Sequence, residues 1–128
     1  PEVEAYMVRE LRVRGFSIKI LSKSLEKVKR ITYDHSEVVI GVTTLPKTLE
    51  GKLNNINIVI STITIAPKEK GLFDSVIDYY CNMNLLKEAQ RAGVTKFVYA
   101  VPRSVDLAKN TVLQESHNNF INQLKPSF

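Results

Sequence analysis

The basic residues between positions 19 and 30 are the first candidates for chemistry. Lys19, Lys23, Lys27, Lys29 and Arg30 stand close together, with Glu26 the only acid among them. A run of this kind is either a solvated helix face or an anion site at the end of the strand that precedes it. It contains no aromatic residue, so a nucleic-acid contact, which would be steeply salt-dependent, is the least favoured reading. The other reactive types are sparse. His35, His117 and the single Cys81 are widely scattered and make no metal-ligand spacing. One cysteine excludes an internal disulfide framework, and its place inside a helical pattern reads as a small packed residue.

These residues need elements to position them, and the chain of 128 residues, 44% hydrophobic and 24% charged with a net charge of +5, can bury one core. The pattern is read as a single domain over residues 1–128. No run approaches a membrane span, and the opening PEVEAYMVRE lacks the basic-then-apolar order of a signal peptide, so a cytoplasmic location is expected. Residues 76 to 101 are the most legible part. Ile77, Tyr80, Leu85, Ala89 and Ala92 recur at helical spacing, Gly93 stands where a helix ends on a positive φ, and Lys96 to Val101 is a short apolar, β-rich run. A helix feeding a buried strand in this way is a crossover of a parallel sheet, whose ligands bind at the carboxyl ends of the strands.

The same reading extends along the chain. Val3 to Arg14 is an amphipathic helix with Tyr6, Met7 and Leu11 inward and Glu4, Arg9 and Arg12 outward, ended by Gly15. Phe16 to Leu21 is a strand, Ser24 caps a short helix, and Glu37 to Gly41 is a second strand. A turn of helix runs from Pro46 to Leu53 with Thr44 as its N-cap, and Ile56 to Ile63 is a third, continuously apolar strand. Thr111 to Lys125 is a last amphipathic helix with Val112, Phe120, Ile121 and Leu124 on its apolar side. The irregular stretches are Ala66 to Gly71 and Pro102 to Asn110.

This order, and above all the segment IDYYCNMNLLKEAQRAGVTKFVYAV, resembles the NmrA-like group of atypical short-chain dehydrogenases. The likeness covers nearly the whole chain: the first helix, Gly-Phe and FSIKILSKSLEKV are similar to that family's first helix and second strand, EVVIGVTTLPKTLEG to its third strand and next helix, and INIVISTI to its fourth strand. It implies an α/β, Rossmann-like, three-layer α/β/α fold with a parallel sheet, incomplete at both ends. The family places a strand and a G-x-x-G-x-x-G turn before the first helix and a substrate-binding region after the last. Without that strand, FSIKIL and INIVIS must either pair directly, in the order 3-2-4-5, or leave open edges; an incomplete piece of a longer protein is the expectation.

What the resemblance implies about function is an NADP(H)-binding protein, in preference to NAD(H), acting as an oxidoreductase or redox sensor on an unidentified substrate. Ser22, Lys23 and Lys27 match the basic position after the second strand that favours a 2′-phosphate. Val42 stands where the family often has an acid near the adenine, and Ser61, Thr62 and Ile63 occupy the stretch whose backbone lines the cofactor cleft; all of these also read as plain core, turn or surface residues. Val101 would lie near the nicotinamide. The Ser and Tyr-x-x-x-Lys pattern of classical members is absent, and His117 falls where NmrA-like members often have Lys, as a weak candidate acid or merely a hydrogen-bonded helix residue. Asn82 and Asn84 match family residues, with a role in fixing backbone at least as well supported. The rival reading is a non-catalytic interaction module that has lost cofactor binding, with a protein partner or a second copy on its open sheet edges.

Overall fold

The computed structural model describes residues 2–28, 37–63, 72–101 and 111–128. In chain order these form α1 (Glu2–Val13), β1 (Lys19–Ser22), α2 (Leu25–Val28), β2 (Glu37–Ile40), a 3-10 turn (Pro46–Leu49), β3 (Ile58–Ser61), α3 (Leu72–Ala92), β4 (Lys96–Tyr99) and α4 (Thr111–Leu124), with a closing 3-10 turn at Lys125–Ser127. Strands and helices alternate, and both strand pairs are parallel. β1 lies on β2, with Lys19 beside Glu37 and Ser22 beside Ile40. β3 lies on β4, with Ile58 beside Lys96 and Ser61 beside Tyr99. Among the described residues these are two separate two-stranded sheets, so the direct 3-2-4-5 pairing does not form.

Glycine sets the ends of the two longest approaches to the strands. Gly93 has a φ of 79°. Its N–H bonds to the Gln90 carbonyl at 3.2 Å, and the next N–H, of Val94, bonds back to Ala89 at 3.0 Å. This is the paired C-terminal closure that a left-handed residue permits, and it drops Val94 onto the core. Gly15 closes α1 in the same way, with the Phe16 N–H bonded to the Leu11 carbonyl at 3.0 Å. Phe16 is therefore part of the cap rather than of the strand, and β1 starts three residues later than the alternation of FSIKIL suggests.

The core gathers where α3 and α4 pack together over β3 and β4. Leu53, Val59, Leu85, Leu86, Ala89, Val94, Phe97 and Phe120 form one buried cluster, and the rings of Phe97 and Phe120 lie 5.9 Å apart in a tilted arrangement. Here the inward stripe of α3 corrects the sequence reading. Ile77 and Tyr80 are 43% and 63% exposed, while Asp78, Cys81, Asn82, Leu85, Leu86, Glu88 and Ala89 are buried. Tyr6 of α1 is likewise turned outward, at 59% exposed. The helix periodicity was sound, but the phase followed apolar type, whereas polar residues with fixed partners occupy the buried face.

The turn after β2 also differs from expectation. The 3-10 turn has Leu45, not Thr44, as its N-cap, with no side-chain cap. Thr48 holds this turn instead: its hydroxyl accepts the Val42 N–H at 2.8 Å and donates to the Leu45 carbonyl at 2.7 Å. Of the stretches named from the sequence, Lys29, Arg30, the loop at 66–71 and the stretch 102–110 lie outside the described residues.

Candidate functional site

The four strands form two parallel pairs. β1 pairs with β2 on one side, and β3 with β4 on the other. Between them lies a cleft of about 2160 Å³ lined by every residue of β1 and of β3, by Glu4 to Arg9 and Leu11 of α1, and by Val39 and Val98 of the outer strands. In an open parallel sheet the point where the strand order reverses is where crossovers leave in opposite directions, so the loops at the carboxyl ends part and leave a crevice. The carboxyl ends here are Ser22 of β1 and Ser61 of β3.

Ser22 lines the cleft. Its hydroxyl accepts the Ser24 N–H at 3.3 Å and donates to the Ser24 carbonyl at 3.0 Å, a local turn that stops the strand and starts α2. Lys23 follows in the turn and is exposed. Lys27 belongs to α2, and its side chain lies outside the described ones. The basic residues with described side chains are thus Lys19, tied to Glu37 across the β1–β2 pair at 3.8 Å, and Lys23.

At the end of β2, Gly41 is a close-packing glycine. A Cβ there would sit 2.9 Å from Leu21 Cδ1, 3.2 Å from Leu49 Cδ2 and 3.2 Å from the Thr48 carbonyl. Val42 follows, its N–H engaged by Thr48. At the end of β3, Ser61 is 2% exposed and donates its hydroxyl to Asn82 Oδ1 at 2.5 Å, while Thr62 and Ile63 continue along the cleft wall. Ser22, Ser61, Thr62 and Ile63 therefore share one cleft. Val101, 38% exposed, stands beyond β4, and Val42, Lys23 and Val101 are not among the residues that line it.

His117 is 2% exposed on the inner face of α4. Its Nδ1 lies 2.5 Å from the Tyr99 hydroxyl, and Phe120 packs on Tyr99 at a tilt with ring centroids 4.7 Å apart. Tyr99 is the last residue of β4 and faces α4, so this pair joins helix to strand on the side away from the cleft wall formed by Lys96 and Val98. Asn82 and Asn84 hold backbone: Asn82 Nδ2 donates to the Asp78 carbonyl at 2.9 Å and Asn84 Nδ2 to the Thr43 carbonyl at 2.9 Å.

A second polar cluster was not anticipated from the sequence. Glu88, 7% exposed on α3, takes two bonds from Arg91, Nε to Oε1 at 2.8 Å and a terminal nitrogen to Oε2 at 2.5 Å. It also accepts the Gly51 N–H at 3.2 Å. The Arg91 guanidinium, and next the Gly51 N–H, hold the Glu88 carboxyl below the usual carboxylate range against the opposing effect of burial. Arg91 reaches on to Asn54 Oδ1 at 2.9 Å. The i, i+3 spacing of an acid and an arginine was the one signal available for it. Among the described residues no group of three His, Cys, Asp or Glu side chains could hold a metal ion, and no helix is long and apolar enough to cross a membrane.

No protein-family model matches the chain. Over 93 residues, 73% of its length, it is 31% identical to the photosystem II assembly factor Ycf39 of Synechocystis sp., and the match spans 28% of that protein. Its fold is similar to that in the crystal structure of gox2253, with a TM-score of 0.74 and 17% sequence identity over 96% of this chain and 44% of that one. The chain thus spans less than half the length of either. Parallel strand pairs that alternate with helices, flank one cleft and are shared with a solved structure over nearly the whole chain make this part of a Rossmann-like α/β fold.

Proposed function

We propose that the chain is a dinucleotide-binding domain of NmrA-like, atypical short-chain dehydrogenase type, taking NADP(H) in preference to NAD(H) across the carboxyl ends of β1 and β3. The observation that carries this reading is the cleft itself. It lies between β1 and β3, and its carboxyl end carries Ser22 on one wall and Ser61, Thr62 and Ile63 on the other. Lys23, exposed directly after β1, supplies the positive charge that a ribose 2′-phosphate requires and a 2′-hydroxyl does not. Lys27 is the second candidate for the same charge. Ser61 has its hydroxyl committed to Asn82, so β3 would meet the cofactor with backbone and with Thr62.

The described residues fit such a group only in part. The five glycines form no G-x-x-G-x-x-G run, so the backbone cradle for a pyrophosphate is not supplied by this sequence. Bound cofactor would bring hydride chemistry; the chain's own residues would orient it and exclude water, and Val101, which does not line the cleft, has no contact with it there. His117, buried against Tyr99, serves as a residue that seats α4 rather than as a proton donor to substrate. An oxidoreductase or a redox sensor follows from the same binding.

Calorimetric titration with NADPH and NADH, repeated on Lys23→Ala, tests the reading. The expected result is binding of NADPH in preference to NADH, weakened about tenfold or more by the substitution, since a lost charge-assisted bond is worth about 1.5–3 kcal/mol. Equal affinity for both nucleotides, unchanged by the substitution, overturns the role of Lys23.

One observation favours a second reading, a non-catalytic interaction module. The relative of 31% identity carries the name of an assembly factor. A folded chain that binds neither nucleotide would leave this reading standing.

A further inference from the structure

The turn that joins α1 to β1 carries an arginine pattern that dinucleotide binding does not use. Arg12 and Arg14 stand five and three residues before Ser17, and the apolar Ile18 follows it. Ser17 is the one serine or threonine of the chain with arginine at both offsets. It belongs to neither helix nor strand, and among the described residues no backbone hydrogen bond of the turns and loops involves it. Val13, Arg14, Gly15, Phe16 and Ser17 are exposed in succession. Consecutive side chains point to different sides of the backbone, so five exposed in a row mark a turn that projects as a whole and that a partner's groove can reach.

Other hydroxyls are already spent inside the fold. Ser22 donates to the Ser24 carbonyl, Thr48 to that of Leu45, Ser61 to the Asn82 side chain and Thr95 to the Asn57 carbonyl. The arginines that precede Ser17 are held loosely by comparison. Arg14 lies 3.9 Å from Glu10 in an ion pair whose side chains are 71% and 41% exposed, a kind of pair that contributes little and yields to a better-placed carboxylate. To lie along a groove, Arg12 and Arg14 must leave the last turn of α1. That turn is closed by the bonds from Arg14 to Glu10, Gly15 to Arg12 and Phe16 to Leu11, and α1 buries none of its described side chains fully. A helix end with so few buried contacts opens without unfolding the rest, and Gly15, at a φ of 90°, is its hinge.

We infer that Ser17 is a phosphorylation site, presented by the folded chain to a serine/threonine kinase whose substrate groove carries carboxylates for Arg12 and Arg14 and an apolar pocket for Ile18. Charge patterns of this kind are how kinases choose among serines, and each guanidinium meets a carboxylate in the two-pronged geometry that a lysine cannot reproduce. In the transfer, Ser17 Oγ attacks the γ-phosphorus of the kinase's ATP. The Oγ–P bond forms, the bond from that phosphorus to the bridging oxygen breaks, ADP leaves, and the hydroxyl proton passes to the kinase's catalytic carboxylate. The product carries a charge of about −1.5 to −2 in the chain between Arg14 and Lys19, cations that otherwise engage Glu10 and Glu37. The inference goes beyond dinucleotide binding and does not depend on it.

The test incubates the folded chain with magnesium ATP and purified protein kinase B, an arginine-directed enzyme, or with the acid-directed casein kinase 2, and maps phosphate by mass spectrometry. The expected result is one phosphate per chain, on Ser17, from the arginine-directed kinase alone, and none in Ser17→Ala. Arg12→Ala and Arg14→Ala should each lower kcat/KM about tenfold or more, the loss of one charge-assisted contact. A synthetic peptide spanning Leu11 to Leu21, with the same substitutions, gives the same ratios where a variant chain loses its fold. Labelling of the peptide but not of the folded chain overturns the inference, because the fold then withholds the site. Labelling of neither also overturns it, as does equal labelling by the two kinases. Phosphate that persists in Ser17→Ala overturns it in favour of another acceptor, of which Thr32, with Lys27 and Lys29 at the same offsets, is the first to map.

Discussion

Ser61 and Asn82 meet at 2.5 Å in the buried interior, joining the last residue of β3 to the middle of α3. The hydroxyl donates to Oδ1, and the Asn82 amide donates onward to the Asp78 carbonyl at 2.9 Å. The carboxyl end of β3, which forms one wall of the cleft, is thereby fixed by a side chain 21 residues away in sequence. Asn82→Ala strands the Ser61 hydroxyl and opens a void, and should cost about 2–4 kcal/mol. Ser61→Ala removes only the donor and should cost about 1–2 kcal/mol. Urea denaturation of the two single variants and the double variant measures their coupling; strictly additive losses would mean that the contact contributes nothing of its own.

Two glycines should respond to alanine for different reasons. At Gly93, φ is 79° and nothing lies within 4 Å of an added Cβ. The loss there is purely that of a left-handed backbone, about 1–2 kcal/mol. At Gly41 the added Cβ meets Leu21, Leu49 and the Thr48 carbonyl, and the expected cost is about 1–3 kcal/mol of overpacking. Because Gly41 leads out of β2 onto the turn held by Thr48, its alanine variant should also speed amide exchange at Val42, which Gly93→Ala should leave unchanged. Equal exchange at Val42 in both variants would remove the distinction.

The contrast between legible and illegible parts follows from the range of the interactions. Helix ends at Gly15 and Gly93 are written locally, in a residue type that alone tolerates the closing turn, and both were readable. The start of β1 was misplaced because Phe16 alternates like a strand residue yet is consumed by the closure of α1. The phase of α3 was misplaced because its inner face carries Asp78, Asn82 and Glu88. Asn82 and Glu88 are satisfied there by Ser61 and Gly51, which lie far away in the chain. The cleft runs the length of β1 and β3 and not at their carboxyl ends alone, and of the two arrangements open to FSIKIL and INIVIS, direct pairing or open edges, the described strands take the second.

Glu88 gives the fold an acid-side dependence. Its carboxyl is held below the usual range by Arg91 first and by the Gly51 N–H next. A group whose folded pKa is depressed stabilises the fold above its unfolded value, about 4.3, and loses that contribution as pH falls through the lower folded value. Stability should therefore be level from neutral pH down to about 5 as far as this group is concerned, then fall below it. Glu88→Gln should flatten that part of the curve and lower stability at pH 7. Chemical denaturation at a series of pH values reads both. An unchanged acid limb in Glu88→Gln would assign the loss to other carboxylates.

Tyr99 and His117 set how α4 sits on β4. Tyr99→Phe keeps the ring against Phe120, 4.7 Å away, and removes only the hydroxyl that faces His117 Nδ1, so a cost of about 1–2 kcal/mol is expected. Phe120→Ala removes a fully buried ring from between Phe97 and Tyr99 and should cost about 3–5 kcal/mol. Because the pair lies on the α4 side of β4, neither change should alter exchange at the Glu37 and Gly41 amides, which bond to the Ile18 and Ser22 carbonyls across β1 and β2, while the chain stays folded. Thermal denaturation fixes the order of the two costs, and exchange fixes their reach. Faster exchange at Glu37 and Gly41 in Tyr99→Phe would show that α4 and the β1–β2 sheet unfold as one unit rather than in separate steps.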